Sequence, residues 1–257
     1  MPTSLKGQTG VVFGVANKRS LAWSCAKSLS GQGMRLCLTY ASERLEDSVR
    51  KLAEELDDPL VLPCDVTIPE EIDAVFARIK KEFGSLDSVV HGAAFARREE
   101  LAGDFYHTTK EGYMLAHEVS AYSLTAVARR AIPLMEGRKG TFVTLTYIGS
   151  ERVVRNYNVM GIAKAALEAS VRYLANDVGP MGHRVNAISA GPIRTLSASG
   201  VEGFTKILDH ISKHSPLRRN TTADEVGDVC LFLCSNMSRG ITGSTIYVDS
   251  GYHIMGV

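Results

Sequence analysis

The sequence lacks the features that mark membrane, secreted and metal-bound proteins. No apolar run approaches the roughly 20 residues that a bilayer-spanning helix needs, and we expect no signal peptide. The five cysteines are odd in number and scattered, with no Cys-x-x-Cys pair. This usage predicts free, buried thiols and a cytoplasmic location. His210 and His214 share a predicted helix, but no third ligand is evident, so we predict no metal site.

No charge of either sign dominates the chain. Lys and Arg total 29 against 28 Asp and Glu, a formal net charge of +1. No strong overall field therefore attracts nucleic acid or an anionic membrane. The chain has 257 residues, of which 45% are hydrophobic and 22% charged, as in ordinary globular proteins. Because no linker, repeat or low-complexity segment interrupts it, we predict one domain over residues 1–257.

Short apolar runs alternate with amphipathic stretches along the chain. We interpret as strands the runs 10–16, 34–40, 60–64, 86–91, 140–146, 183–189 and 244–248. Helical patterns cover 20–31, 43–56, 69–83, 112–135, 157–178, 204–213 and 223–234. Seven short apolar strands joined by helices predict an α/β fold. Its expected form is a Rossmann-type, doubly wound, seven-stranded parallel sheet with helices on both faces.

Small residues follow several of the predicted strands, at the edge where open α/β sheets bind ligands. Gly14 ends the first strand, although Ala16 stands where the usual G-x-G-x-x-G fingerprint has its second glycine. Gly92 follows the fourth strand and permits close approach of a backbone. Asp65 follows the third strand, where its carboxylate can accept a hydrogen bond from an adenine amino group. Together these positions predict a dinucleotide site.

The end of the second predicted strand bears on the cofactor's phosphate. An acidic residue there suits a free ribose hydroxyl, whereas a basic residue suits a 2′-phosphate. The run Thr-Tyr-Ala-Ser-Glu-Arg at 39–44 has neither at the strand tip. Arg44 falls within the next helical pattern, which favours NADH. If Arg44 folds back towards the strand, NADPH becomes the alternative.

A tyrosine and a lysine follow the fifth predicted strand. Tyr157 and Lys164 are seven residues apart, which on a helix is about 10.5 Å of rise with both side chains on nearly one face. An ammonium can hold ribose hydroxyls, and a phenol can donate a hydrogen bond to an oxygen that gains negative charge. A core tyrosine with a surface lysine would show the same spacing, but the position after this strand favours catalysis. Tyr106 and Lys110 are four apart in a predicted loop, and we discount them.

Three groups of residues carry a resemblance to a known family. They are Gly14 with Ser20 and Ala22, the run 147–165, and the run Arg-Val-Asn-Ala-Ile-Ser-Ala-Gly-Pro-Ile-Arg-Thr at 184–195. Over essentially its whole length the sequence resembles the short-chain dehydrogenase/reductases. Within that superfamily it resembles the bacterial enoyl-acyl-carrier-protein reductases of fatty-acid synthesis. The seven-residue spacing from tyrosine to lysine separates this branch from ordinary carbonyl reductases, where the spacing is four.

The resemblance implies a reaction and a set of site residues. NADH would deliver hydride to the β-carbon of a trans-2-enoyl thioester carried by acyl carrier protein. Tyr157 would stabilise the resulting enolate oxygen, Lys164 would bind the nicotinamide ribose, and Tyr147 would line the site. The implied cofactor contacts are Gly14, Ala16, Ser20, Leu21, Asp65, Val66, Gly92, Lys164, Ile193 and Thr195.

An acyl chain also needs an apolar channel. Candidate lining residues are Phe95, Met160, Ala198, Val201, Phe204 and Ile207, and by resemblance Ala96 offers backbone groups to ligands. A segment at about 193–214, with small residues and glycines, is expected to cover the substrate.

Two expectations concern partners. Arg194, Lys206 and Lys213 are candidate contacts for the acidic carrier protein, although a solvated charged face is the default interpretation. By resemblance, the helices predicted at 112–135 and 157–178 would pair across subunits of a homotetramer.

Two alternative functions remain open from the sequence. One is a carbonyl or 3-oxoacyl reductase of the same fold, but its expected serine before the tyrosine is replaced by the region 144–146. The other is a nucleotide sensor without catalysis, in which substitution of Tyr157 would leave function intact.

Overall fold

The protein is built on one parallel sheet, described by a computed structural model over residues 4–195 and 203–256. The strands are β1 (Thr9–Phe13), β2 (Arg35–Tyr40), β3 (Leu60–Pro63), β4 (Ser88–His91), β5 (Thr141–Thr146), β6 (Arg184–Ala190) and β7 (Thr245–Val248). The main helices are α1 (Leu21–Ser30), α2 (Glu46–Ala53), α3 (Pro69–Phe83), α4 (Lys110–His117), α5 (Ser123–Ala131), α6 (Asn158–Val178), α7 (Phe204–His214) and α8 (Ala223–Cys234).

The strand order confirms the predicted doubly wound fold. The order is β3-β2-β1-β4-β5-β6-β7, and every neighbouring pair is parallel. In the register, Val11 of β1 faces Cys37 of β2 on one side and Val89 of β4 on the other. The chain winds outward in opposite directions from β1 and β4. The loops that follow β1 and β4 therefore diverge at the carboxyl ends of these two strands and leave a crevice between them. Open α/β sheets bind ligands in such a crevice.

Two apolar cores flank the sheet. On one face, α3, α5 and α6 pack against side chains that include Val11, and on the other, α1, α2 and α8 pack against side chains that include Val12. Successive residues of a strand point to opposite faces, so both neighbours are fully buried. This explains why the strands are continuous apolar runs rather than alternating ones.

The helix predicted over 112–135 is helical but is not one α-helix. A π-helical turn, Glu118–Tyr122, separates α4 from α5, and a 3-10 turn, Ile132–Met135, follows α5. The π turn contains Ser120, whose hydroxyl accepts a hydrogen bond from the Phe95 backbone N–H at 3.0 Å. Pro133 has no N–H for an α-helical bond, which suits the 3-10 ending. The π turn thus attaches the loop after β4 to the helix layer.

Other element boundaries differ from the predictions for local reasons. The strand predicted at 10–16 ends at Phe13, because Gly14 takes a φ of +85° that no extended strand has. The helix predicted at 43–56 starts with a 3-10 turn, Glu43–Leu45, and its α-helical part ends at Ala53. The helix predicted from Tyr157 begins one residue later.

The five cysteines are all free and buried. Burial raises the pKa of both Cys37 and Cys64 to about 12, so these two thiols stay protonated and unreactive. None of the helices in the described ranges combines the length and apolar character that crossing a membrane requires.

Candidate active site

A cavity of about 540 Å³ opens at the carboxyl edge of the sheet. Its walls come from the segments after β1, β4, β5 and β6, together with α6 and α7. It brings together most of the predicted site residues: Gly14, Ala16, Ser20, Leu21, Gly92, Phe95, Ala96, Tyr147, Tyr157, Met160, Lys164, Ile193, Thr195, Phe204 and Ile207. Residues far apart in the chain thus share one space, while their individual roles stay predictions.

Two predicted cofactor residues lie outside the lining of this cavity. Asp65 and Val66 follow β3, two strands away from the crevice. The Asp65 carboxylate accepts hydrogen bonds from the backbone N–H and the hydroxyl of Thr67, at 2.9 and 2.8 Å. It therefore closes a turn before α3, and its predicted contact with adenine stays a prediction. Residues 196–202 of the predicted cover lie outside the described residues, and they include the predicted lining residues Ala198 and Val201.

Gly14 after β1 and Gly92 after β4 bring two backbone segments into close contact, which we call the glycine passage. A Cβ on Gly14 would lie 2.6 Å from the carbonyl carbon and oxygen of Gly92. A Cβ on Gly92 would lie 2.8 Å from the Phe13 carbonyl oxygen, which accepts a hydrogen bond from the Gly92 N–H. Only glycine fits at either position. This backbone leads to the N-terminus of α1, whose dipole and free N–H groups suit a pyrophosphate.

Tyr157 is held at a sharp turn before α6. Its neighbours Asn156 and Asn158 have φ values of +61° and +28°, a region that asparagine tolerates better than most residues. The Asn158 amide donates to the Gly103 carbonyl at 3.0 Å, which joins this turn to the loop after β4. A Cβ on Gly149 would lie 2.6 Å from the Tyr157 ring. The Asn-Tyr-Asn sequence is a turn signal, although the predicted helix began at Tyr157.

Two phenols meet inside the cavity. The rings of Tyr147 and Tyr157 are in edge contact, with centroids 5.0 Å apart and planes at 71°. Burial raises the pKa of Tyr147 to about 12. Burial, and secondarily Tyr147, hold the pKa of Tyr157 far above its usual value. Both phenols are therefore protonated at neutral pH and are available as hydrogen-bond donors.

Lys164 brings a positive charge to the same cavity. Its side chain is buried on α6, and its ammonium donates to the Leu145 carbonyl at 2.8 Å. Burial lowers the pKa of Lys164 to about 8, while the Glu168 carboxylate acts in the opposite direction. The amine is therefore mostly protonated at neutral pH but loses its charge in mildly alkaline solution.

A buried histidine lies under the site. The His91 Nδ1 and Nε2 lie 2.9 Å and 2.7 Å from the hydroxyl oxygens of Thr144 and Ser123. The Ser123 hydroxyl also donates to the Val119 carbonyl, and the Thr144 hydroxyl donates to the His91 carbonyl at 3.1 Å. Burial, then the charge of Lys164, lowers the pKa of His91 to about 3. The ring is thus a neutral structural group, a role that the sequence did not indicate.

Several cavity residues were not among the predicted site residues. Arg44 lies in the 3-10 turn after β2 and lines the cavity, although the sequence placed it within a regular helix. Arg98 and Leu101 come from the loop after β4. The buried Glu100 carboxylate anchors this loop by accepting from the Thr109 N–H at 3.1 Å. The signal for Glu100 in the sequence is weak, since burial of an acid depends on tertiary contacts.

The discounted tyrosine–lysine pair, Tyr106 and Lys110, lies outside the cavity. Tyr106 is 77% exposed, and neither Tyr106 nor Lys110 lines the cavity. The Tyr106 hydroxyl donates to Asp104 at 3.2 Å within the same loop.

The strand order, the glycine passage and the Tyr157–Lys164 pair at the carboxyl edge define a short-chain dehydrogenase/reductase. The profile of the family described as "Enoyl-(Acyl carrier protein) reductase" matches residues 14–253. The chain belongs to this enoyl-acyl-carrier-protein reductase family.

Individual relatives agree with the family. The chain is 59% identical to the Bacillus cereus "Enoyl-[acyl-carrier-protein] reductase [NADH] FabI", over 98% of this chain and 99% of that protein. It is 50% identical to the Staphylococcus aureus "Enoyl-[acyl-carrier-protein] reductase [NADPH] FabI", over 97% and 98% of the two chains. A crystal structure of the Bacillus cereus reductase with NADP+ and indole naphthyridinone has a TM-score of 0.96 and 58% identity, covering 98% of this chain and 99% of that one.

Proposed function

We propose that this protein reduces the C2=C3 double bond of trans-2-enoyl thioesters on acyl carrier protein, by hydride transfer from NADH, in fatty-acid elongation. The observation that carries the proposal is the Tyr157–Lys164 pair, seven residues apart, in one cavity with Tyr147 and the glycine passage. Membership of the enoyl-acyl-carrier-protein reductase family supports the substrate class.

The residues of the cavity suit this reaction. When bound, NADH supplies the hydride that adds to the β-carbon of the enoyl thioester. Negative charge then develops on the thioester oxygen, and the protonated Tyr157 phenol donates a hydrogen bond to it. The Lys164 ammonium favours the same negative charge and has donors for ribose hydroxyls. Tyr147 packs edge-on against Tyr157 and restricts its ring. The enolate is later protonated at the α-carbon.

The cofactor preference rests on the end of β2. The chain has no acidic residue at the strand tip, where Tyr40 is followed by Ala41 and Ser42. Arg44 lines the cavity, so a 2′-phosphate has a cation within reach, and NADPH remains the alternative. NADH is the proposed cofactor because Arg44 stands alone, without a second base at the strand tip.

The proposal is tested by following NADH oxidation with the purified protein. We expect turnover with a trans-2-enoyl thioester and none with a 3-oxoacyl thioester. The same assays with NADPH rank the two cofactors, and we expect a higher kcat/KM with NADH. Turnover of the 3-oxoacyl substrate alone would identify a carbonyl reductase instead. Tight NADH binding without turnover of either substrate would favour a nucleotide sensor.

The apolar part of the cavity is the proposed acyl channel. Phe95, Met160, Phe204 and Ile207 line it, and Ala96 lies beside Phe95 on the loop after β4. We propose that residues 193–214 cover the substrate. We also propose that a single domain spans the chain. Of the three cations proposed for the carrier protein, Lys213 already pairs with Asp209 at 2.8 Å. Arg194 and Lys206 are therefore the stronger candidates.

The proposed assembly is a homotetramer in the cytoplasm. Large apolar side chains are exposed on the layer formed by α4, the π turn and α6, which supports pairing between copies of the chain. They are Tyr113, Met114, Tyr122, Ile162 and Tyr173. Light scattering should give a mass four times the 27.9 kDa of one chain. A monomer at micromolar concentration would contradict this assembly.

A further inference from the structure

A buried carboxylate lies one helical turn beyond the active-site lysine. Glu168 follows Lys164 by four residues on α6, so both side chains lie on one face of the helix. Glu168 is only 7% exposed. Its Oε1 accepts a hydrogen bond from the Thr146 hydroxyl, at 2.6 Å, from the carboxyl end of β5. Thr146 and Lys164 line the cavity, whereas Glu168 lies behind them.

A buried carboxylate needs a compensating charge, since leaving water is costly for an ion. Three titratable groups surround Glu168 and Lys164 from the packed elements. His91 from β4 is neutral, and Tyr247 from β7 is a phenol that hydrogen-bonds to Glu151. Tyr157 at the start of α6 is also protonated. Lys164 adds a positive charge beside these groups, and its electrostatic coupling to Glu168 is favourable.

We propose that Glu168 is a positioning residue that keeps the Lys164 ammonium charged, with the Thr146 hydroxyl holding the carboxylate. This inference rests on the proposed function, because it explains how the lysine keeps its charge at the site of reduction. No proton is transferred in this role. The carboxylate stabilises the ammonium by charge, and the hydrogen bond from Thr146 fixes the position of the carboxylate.

We expect kcat/KM for NADH to depend on pH and to fall as pH rises. Burial lowers the pKa of Lys164 to about 8 even with Glu168 present. As pH rises through this value the ammonium becomes a neutral amine, which stabilises negative charge less than the ammonium does. The value of kcat/KM for NADH, which reports groups of the free enzyme, should therefore fall on the alkaline side. Removing the Glu168 charge should move this fall to lower pH.

The test compares Glu168→Gln with Asp177→Asn, which removes an exposed carboxylate from the same helix. We measure kcat/KM for NADH between pH 5.5 and 9.5 with a trans-2-enoyl thioester, as well as NADH binding by fluorescence. Glu168→Gln should move the alkaline limb down by about one pH unit, the usual effect of an opposite charge nearby. Asp177→Asn should leave the limb in place. An unmoved limb in Glu168→Gln would overturn the inference.

A second arm separates this role from a structural one. In a Lys164→Arg background the guanidinium stays charged throughout the range, so Glu168→Gln should no longer shift the pH dependence of NADH binding. An equal shift in both backgrounds, or a uniform loss at every pH, would mean that Glu168 acts only in folding. If Glu168→Gln does not fold, Glu168→Asp keeps the charge, and its limb must stay within a few tenths of a pH unit of wild type. Should wild type fail to reduce the enoyl thioester, the proposed function falls, while the binding measurements still test the charge coupling.

Discussion

Replacing Tyr157 with phenylalanine should lower kcat for enoyl thioester reduction by about 10²–10³-fold, the usual cost of losing one donor to a developing oxyanion. The substitution removes a hydroxyl whose pKa is held far above its usual value by burial, so the wild-type group is always a donor. NADH affinity should change little, because Lys164 and the glycine passage remain. Stopped-flow single turnovers with saturating NADH measure the chemical step directly.

The control for this prediction is Tyr106→Phe. Tyr106 is exposed and belongs to the discounted tyrosine–lysine pair, so the substitution should leave kcat within twofold of wild type. Adding Lys164→Ala to Tyr157→Phe should abolish turnover and weaken NADH binding as well. A Tyr157→Phe protein with wild-type kcat would show that another group stabilises the oxygen. A large loss in Tyr106→Phe would move the catalytic pair to the loop after β4.

Replacing Gly14 with alanine should cost about 3 kcal/mol of stability and abolish NADH binding. Two effects add at this position. A positive φ costs an alanine about 1–2 kcal/mol, and overpacking of a close contact costs typically about 1–3 kcal/mol more. The second effect arises because the new Cβ would lie 2.6 Å from the Gly92 backbone, which has no flexible side chain to move. The passage between β1 and β4 must then widen, which distorts the edge next to the α1 N-terminus.

Gly7→Ala is the matched control for strain without a clash. Gly7 has a φ of +79°, but nothing lies within 4 Å of a Cβ there. This variant should lose about 1 kcal/mol and bind NADH normally. Thermal unfolding gives the stability difference, and fluorescence titration gives NADH affinity. Equal losses of stability in the two variants, with NADH binding retained in Gly14→Ala, would show that the passage does not support the cofactor.

Much of the fold was predictable because its signals are local. Strands buried on both faces must be apolar along their whole length, so segments such as β1 and β5 stand out between polar helical stretches. Boundaries were less predictable. The π turn at Glu118–Tyr122 depends on the loop after β4, and the end of β1 depends on a glycine conformation set by the neighbouring strand. Neither partner is close in sequence.

The candidate site divides in the same way. The Tyr157–Lys164 spacing and the glycine after β1 are readable from the chain, because a helix places residues seven apart on one face. For Arg44 the sequence left two positions open, and the cavity wall was the alternative one, since a single 3-10 turn replaced the expected start of a helix. Asp65 was readable as a polar residue at a strand end, but its bonds to Thr67 depend on the turn that follows.

By itself, the sequence determined the class of fold, the order of its elements and the residue types available for catalysis, because periodicity and spacing are properties of neighbouring residues. Tertiary structure decided the charge state of those residues. Burial lowers the pKa of Lys164, keeps Tyr157 protonated and makes His91 neutral. It also places Glu168 behind Lys164 and against Thr146. Loss of solvent and long-range contacts arise only when distant strands and helices pack together, and this is why the electrostatics of the site came from the folded protein.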